Sequence, residues 1–182
     1  MTSLPKNRNI HRPSHVFVDN AIYFVTGRCL ENAGKPLKNK IAKNIFKKCL
    51  NIFISKYQIK LYAWVVLDNH YHLLFRIKNS VDLSKFVNQL HSMTARLLNK
   101  LDGNQGEKVW YQYWDHCVRN EKDFWEHFNY IHQNPIKHGV SKSLNYKFSS
   151  YDAWLKLKGQ EYLDDSFRKY PVVDFKIFSD DF

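Results

Sequence analysis

The 182-residue sequence has few of the features that mark secreted, membrane-spanning or disulfide-stabilised proteins. Its three cysteines (Cys29, Cys49 and Cys117) are odd in number, far apart and in no Cys-x-x-Cys pair, so neither a disulfide framework nor a zinc ribbon is expected. No stretch approaches the roughly 18 apolar residues of a membrane span, and the beginning lacks the apolar segment of a signal peptide. We therefore expect a reduced, cytoplasmic globular protein.

Acidic residues are also scarce, and this scarcity is the first positive indication of function. The chain has 28 Lys and Arg against 17 Asp and Glu, a net charge of +11. Residues 160–182 carry six acidic and three basic side chains, so residues 1–159 carry +14. A compact basic body favours a polyanionic partner such as nucleic acid, although basic proteins that bind none are common.

The order of predicted elements indicates an α+β fold. Alternating and helical apolar patterns predict strands at 21–29, 58–67, 70–77 and 108–118, and helices at 38–56, 82–100 and 121–134. We expect the last helix to stop at Pro135, because proline has no amide hydrogen. Two helices beside an antiparallel sheet of about four or five strands make a ferredoxin-like (RRM-like) layout. Residues 1–155 are expected to form the domain, and residues 156–182 an irregular acidic tail that wraps around it or is partly mobile.

Two histidines separated by one residue are the first candidates for chemistry. His70 and His72 share one face of a predicted strand, since strand side chains alternate between faces. Two imidazoles side by side can hold a divalent metal, but two ligands make an incomplete site. Taken alone, the pair is a weak signal, because two histidines on a sheet surface that happen to be two apart give the same pattern.

The third predicted helix carries a second group of polar side chains. His127, Tyr130 and Asn134 lie together on the flank of its apolar stripe, and Tyr130 and Asn134 are one turn apart. If this flank faced His70 and His72, the set would combine a metal site with a nucleophile. The alternative is that Tyr130 borders the core and Asn134 ends the helix before proline.

Four segments of the sequence resemble segments of the single-tyrosine HUH transposases and of their branch, the REP-associated tyrosine transposases, and they occur in the order found in that family. LDNHYHLLF is similar to the His-hydrophobic-His motif of that family, with Asp68 as a departure that adds a carboxylate beside His70. WYQYWDHCVRNEKDFWEHFNYIHQNPIKHGV resembles the block that carries the catalytic tyrosine. HRPSHVFVDNAIYFVTGRC resembles the first strand, and YKFSSYDAW resembles the closing segment. The likeness covers roughly residues 10–155.

The resemblance implies an HUH-type endonuclease fold and a set of site roles. Tyr130 would be the nucleophile that forms a 5′-phosphotyrosine, and His70, His72 and Asn134 would hold Mg²⁺ or Mn²⁺. His127 is a candidate helper in proton transfer, because it lies one turn before Tyr130. The absence of a GxxxxGK loop agrees with strand joining that needs no ATP.

The resemblance also implies a partner, single-stranded or hairpin DNA, and favours a monomer over a homodimer. The candidate phosphate contacts are the basic residues Arg12, Arg28, Arg76, Arg96, Lys100, Arg119 and Lys137. Arg76 is the first choice, since it shares a strand face with the histidines. Two alternatives remain at this point. One is a hairpin-binding protein without catalytic activity. The other is an RNA-binding ferredoxin-like module, but the strands of this sequence lack the pattern of glycines between aromatic residues that such modules carry.

Overall fold

The computed structural model describes residues 18–173 and 175 of the chain, so the predicted contact Arg12 lies outside the described residues. The strands are β1 (Ile22–Cys29), β2 (Lys60–Val66), β3 (His70–Arg76) and β4 (Trp110–Cys117). The helices are α1 (Lys40–Lys56), α2 (Asp82–Asp102), α3 (Glu121–Lys137), α4 (Tyr151–Lys158) and α5 (Gln160–Lys169). In this part of the chain no helix is long and apolar enough to cross a bilayer.

The four strands form one antiparallel sheet in the order β2-β3-β1-β4. With α1 between β1 and β2, and α2 between β3 and β4, this is the ferredoxin-like arrangement, which confirms the predicted fold class. The two central strands, β1 and β3, are therefore the positions where polar side chains are most enclosed.

Each face of the sheet has its own layer of helices. Helices α1 and α2 cover one face, where Tyr71, Leu73 and Phe75 of β3 enter the larger apolar core. Helix α3 covers the other face, where Phe24 and Leu74 meet Phe128 in a second core. Because β3 alternates, His70 and His72 point to the face that α3 covers.

Local signals fix where several helices begin and end. Asn39 caps α1 by accepting from the Ala42 amide at 2.8 Å, and Asn120 caps α3 by accepting from the Asp123 amide at 2.9 Å. Helix α2 ends at Gly103, whose φ of 74° is the left-handed conformation that glycine adopts without strain. Gly27 in β1 is required for space, because a Cβ at this position would overlap the ring of Tyr71.

Two sequence predictions about the chain's second half are wrong. Helix α3 runs through Pro135 to Lys137 instead of stopping at Asn134. The tail 156–182, expected to be irregular, contains the end of α4 and the whole of α5. Helix α5 packs on α3, where Asn129 donates to the carbonyls of Ser166 and Tyr170 at 2.9 and 2.8 Å.

Candidate functional site

The two motif histidines are buried in the middle of the sheet and held in fixed orientations. In the strand register His70 lies opposite Arg28 and His72 opposite Thr26. The Nδ1 atom of His70 lies 2.8 Å from Oδ1 of Asn69, and Nδ1 of His72 lies 2.7 Å from Oγ1 of Thr26. Both Nε2 atoms are therefore left to face α3, which is the orientation that metal-binding histidines have.

Helix α3 brings Asn134 and Tyr130 against this pair. Oδ1 of Asn134 lies 3.3 Å from Nε2 of His70, and the ring of Tyr130 meets the ring of His72 edge-on at a centroid distance of 5.3 Å. Asn134 and Tyr130 are each 1% exposed, and His72 is fully buried. The four residues that the resemblance implied thus lie together in one chain.

Several polar atoms at this junction have no hydrogen-bond partner among the described residues. They are Nε2 of His72, the Tyr130 hydroxyl, Nδ2 of Asn134 and Nε2 of His138. Leaving a buried polar group unpaired costs about 1–3 kcal/mol, so a cluster of such groups is typical of a ligand-binding site.

His70 shows most directly what the ligand would be. Burial, together with the nearby His138, lowers the pKa of His70 to about 3, so the imidazole is neutral and has a single N–H. Its two nitrogens nevertheless both face side-chain amide oxygens, those of Asn69 and Asn134. A neutral ring cannot donate to both, whereas a cation between Nε2 and the Asn134 oxygen would satisfy each of them. The donor set fits a divalent metal.

His72 is prepared in the same way. Burial, and then the neighbouring His70, lower its pKa well below the ordinary value. A neutral imidazole is the form that coordinates a metal.

The ring of Phe24 lies between the predicted helper His127 and the motif histidine His72. Its centroid is 5.4 Å from that of the His72 ring and 4.5 Å from that of the His127 ring. Nδ1 of His127 lies 2.8 Å from the Asp123 carbonyl and 2.9 Å from Oδ1 of the same residue. Burial lowers the pKa of His127 to about 4, despite the opposing effect of Asp123. Its closest polar contacts therefore tie it to the start of α3.

Sequence reasoning did not single out His138, His116 or Asp123. The His138 ring lies 4.8 Å from that of His70, and His138 follows Asn134 by one helical turn, a spacing that could have identified it. His116, Asp123 and His127 form a separate group whose ligand atoms all lie within 4.8 Å of one another. The carboxylate of Asp68 is paired with Nζ of the buried Lys43 at 2.6 Å.

The predicted DNA contacts are spread over the molecule. Arg28 borders His70 in a cleft of about 370 Å³ that Asn69 and His138 also line, and Lys137 lies 5.5 Å above the Tyr130 ring. Arg119 is exposed in the loop before α3. Arg76 is exposed at the far end of β3, about 20 Å from His70 at the usual rise per strand residue. The remaining pair, Arg96 and Lys100, lies on α2, behind the sheet.

The aromatic ring of Phe175 covers the helix flank that carries the candidate nucleophile. It stacks on His127 at 4.1 Å and meets the Tyr130 ring edge-on at 5.2 Å. The described part of the C-terminal segment therefore limits access to Tyr130.

Comparison with known proteins agrees with this geometry. The family model for IS200-like transposases matches residues 28–134, a range that includes all four residues of the junction. The chain is 25% identical over 146 residues to a REP-associated tyrosine transposase of Haemophilus influenzae, covering 74% of this chain and 82% of that protein. It is 32% identical over 92 residues to the REP-associated tyrosine transposase of Escherichia coli K12, covering 49% of this chain and 52% of that one.

A solved structure shares the fold. It is described as a REP-associated tyrosine transposase bound to a REP hairpin, and it superposes with a TM-score of 0.68 at 21% identity, over 80% of this chain and 85% of the other. These matches confirm the resemblance drawn from the sequence motifs.

Proposed function

The chain belongs to the IS200-like transposase family, and from this premise we propose that it nicks and rejoins hairpin DNA as a metal-dependent single-strand transferase. Tyr130 is the nucleophile, and His70, His72 and Asn134 hold Mg²⁺ or Mn²⁺. The observation that carries the proposal is the convergence of these four side chains, with three of their buried polar atoms unpartnered among the described residues.

The metal would act as a Lewis acid on the scissile phosphate and neutralise charge that develops there. The protein's part is to hold the ligands. Thr26 and Asn69 fix the two imidazoles through Nδ1, and α3 fixes the amide of Asn134.

In the proposed step the Tyr130 oxygen forms a bond to phosphorus as the bond from phosphorus to the 3′ oxygen breaks. The phenol loses its proton, and the departing 3′ oxygen gains one, so that a 5′-phosphotyrosine and a free 3′-hydroxyl result. Because the tyrosyl ester retains a phosphodiester bond, attack by a 3′-hydroxyl reverses the step without ATP. Lys137, above the Tyr130 ring, would place a positive charge beside a phosphate that reacts there.

The substrate class follows from the relatives and the charge. A structurally similar protein is described as bound to a REP hairpin, and we extend that ligand, hairpin or single-stranded DNA, to this chain. The +14 charge of residues 1–159 suits a phosphate backbone. We propose that the activity is cytoplasmic, because the described cysteines are free thiols, as is usual in a reducing compartment.

A covalent-trapping assay tests the chemistry. The protein is incubated with labelled hairpin oligonucleotides from the flanks of its own gene, with Mn²⁺ or Mg²⁺, and resolved on a denaturing gel. We expect an adduct that EDTA abolishes and that Tyr130→Phe lacks. The matched control Tyr111→Phe, which removes the hydroxyl of an exposed tyrosine, should leave the adduct unchanged.

The second candidate is a hairpin-binding protein without chemistry. Its supporting observation is that Tyr130 is 1% exposed, with Phe175 against its ring, so that DNA does not reach the hydroxyl in this conformation. Hairpin binding that is equal in wild type and Tyr130→Phe, with no adduct under either metal, would favour this candidate.

We further propose that the site works within one monomer, since His72 and Tyr130 of the same chain lie side by side. Mixing Tyr130→Phe with His72→Gln tests this point. A cis site predicts no adduct from the mixture. Recovery of adduct would show that the tyrosine of one chain acts at the histidines of another.

A further inference from the structure

A second group of metal-ligand side chains lies one to two turns before Tyr130, outside the proposed catalytic site. His116 is near the end of β4, and Asp123 and His127 are in the first two turns of α3. Nε2 of His116 lies 2.9 Å from Oδ2 of Asp123, and Nδ1 of His127 lies 2.9 Å from Oδ1 of the same carboxylate. The two imidazoles stack at a centroid distance of 4.9 Å and an angle of 18°.

We propose that His116, Asp123 and His127 bind a transition-metal ion of the Zn²⁺ class. Two imidazole nitrogens and one carboxylate oxygen form a common three-residue zinc set, with the fourth position open to water. Zinc bonds of about 2.0–2.1 Å separate tetrahedral ligands by about 3.4 Å. The three ligand atoms here already lie within 4.8 Å of one another, so small side-chain movements complete the coordination.

The surroundings orient the central carboxylate. The Arg119 amide donates to Oδ2 of Asp123 at 2.9 Å, and the Asp123 amide donates to the Asn120 cap at 2.9 Å. Asp123 and His127 are four residues apart, so helical geometry places them on one face.

Access from solvent also suits an ion. The side chains of His127, Asp123 and His116 are 4%, 16% and 35% exposed, so the site is buried at one end and open to solvent at the other. An ion can therefore enter from the side of His116.

The consequence of this site is mechanical. Its ligands join edge strand β4 to the start of α3, and α3 carries Tyr130 on its following turn. A bound ion would therefore fix the position of α3 relative to β4, one to two turns before the candidate nucleophile Tyr130. This inference does not depend on the proposed function.

Metal stoichiometry tests the inference. Equilibrium dialysis with Zn²⁺, and the visible spectrum with Co²⁺, are measured on wild type and on His70→Gln/His72→Gln, which lacks the proposed catalytic ligands. We expect the double variant to retain one tightly bound ion. Adding Asp123→Asn to it should weaken binding at least about 10-fold. The matched control Glu126→Gln removes a nearby carboxylate of the same helix and should change nothing.

Three results would overturn the inference. The first is a folded double variant that binds no Zn²⁺. The second is an Asp123→Asn protein with unchanged affinity for Zn²⁺, and the third is a Glu126→Gln protein whose affinity for Zn²⁺ falls by as much as that of Asp123→Asn. If the double variant does not fold, the wild-type chain gives the answer. Its Zn²⁺ stoichiometry should fall by one on Asp123→Asn, and an unchanged stoichiometry would contradict the site. Loss of the tyrosyl adduct in the earlier assay would leave these readings unaffected.

Discussion

At the scale of single residues, the hydrogen bonds to Nδ1 distinguish the motif histidines from ordinary buried ones. Thr26 lies opposite His72 in the sheet, and Asn69 precedes His70 in the chain. Each bonds the Nδ1 atom of its histidine and so orients the Nε2 atom towards α3, which carries Asn134 and Tyr130. The sequence predicted that His70 and His72 share a face, because strand alternation is a local property. It could not predict Thr26 as a partner, since that pairing depends on the register of β1 against β3.

Thr26→Val should weaken metal binding by about 10- to 100-fold, the usual effect of losing a group that orients a ligand. The valine has the same shape but cannot bond Nδ1 of His72, so the ring loses its fixed orientation. Titration with Mn²⁺, followed by electron paramagnetic resonance, measures the affinity. Ser84→Ala, which removes a hydroxyl bonded to Tyr113 behind the sheet, is the control. Equal affinity in Thr26→Val and wild type would contradict the orienting role.

A second residue-scale prediction concerns pH and uses His91, which lies on the opposite side of the sheet from the site. Its Nε2 lies 2.8 Å from the Tyr71 hydroxyl, its ring stacks on Trp110 at 4.4 Å, and burial lowers its pKa to about 3. Between this value and the ordinary pKa of about 6.5, the unfolded chain binds one more proton at this residue than the folded chain. The free energy of unfolding therefore falls as the pH drops below about 6.5.

His91→Gln should reduce this pH dependence, since glutamine can bond the Tyr71 hydroxyl but does not titrate. Its free energy of unfolding should depend on pH less steeply than that of wild type, by about 1.4 kcal/mol per pH unit between pH 4.5 and 6. Urea unfolding at several pH values measures the slope. A slope identical to that of wild type would show that His91 is protonated in the folded state.

At the scale of elements, α3 shows both the reach and the limit of sequence reasoning. Its apolar stripe predicted the helix, and its spacing placed Tyr130 and Asn134 one turn apart. Its end at Pro135 was wrong, because a proline removes only its own amide bond to the carbonyl four residues earlier, and the following turn can still close. The His138 amide donates to the Asn134 carbonyl at 3.0 Å. Asn134 therefore stays helical and keeps its position beside His70.

The two C-terminal helices were missed for a different reason. Helix α5 has only ten residues, is strongly polar overall and buries only Leu163 and Ser166, so its apolar side is too short to stand out in the sequence. The helix is held by polar contacts to Asn129, which is fully buried on α3 and both donates to and accepts from the Ser166 residue. Such long-range hydrogen bonds leave no periodic signal in the sequence.

Asn129→Ala should destabilise the protein by about 1–3 kcal/mol, because it leaves the carbonyls of Ser166 and Tyr170 and the Ser166 hydroxyl without this partner. Thermal unfolding measures the loss, and hydrogen exchange should localise the greatest increase to α5. Gln133→Ala, at an exposed position on the same helix, should be neutral. An increase in hydrogen exchange that is equal across the whole chain would mean that Asn129 supports the core rather than the docking of α5.

At the scale of the whole molecule, the site exists because α3 packs on the face of the sheet that α1 and α2 leave open. Motif spacing supplies two pairs, His70 with His72 and Tyr130 with Asn134, but their meeting is a property of the tertiary fold. The same arrangement sorts the basic residues. Lys137 and Arg28 border the site, whereas Arg96 and Lys100 lie on α2, behind the sheet.

This division predicts which charges hold DNA. Lys137→Ala should weaken hairpin binding and lower the slope of log affinity against log salt by about 0.9, the release expected for one lost phosphate contact. Arg96→Ala/Lys100→Ala removes twice the charge but should change the slope by less, because contacts rather than net charge set it. Fluorescence anisotropy of a labelled hairpin over a range of salt concentrations measures both slopes. A larger change in the double variant would place the DNA on the α2 side of the sheet, and would separate the binding surface from Tyr130.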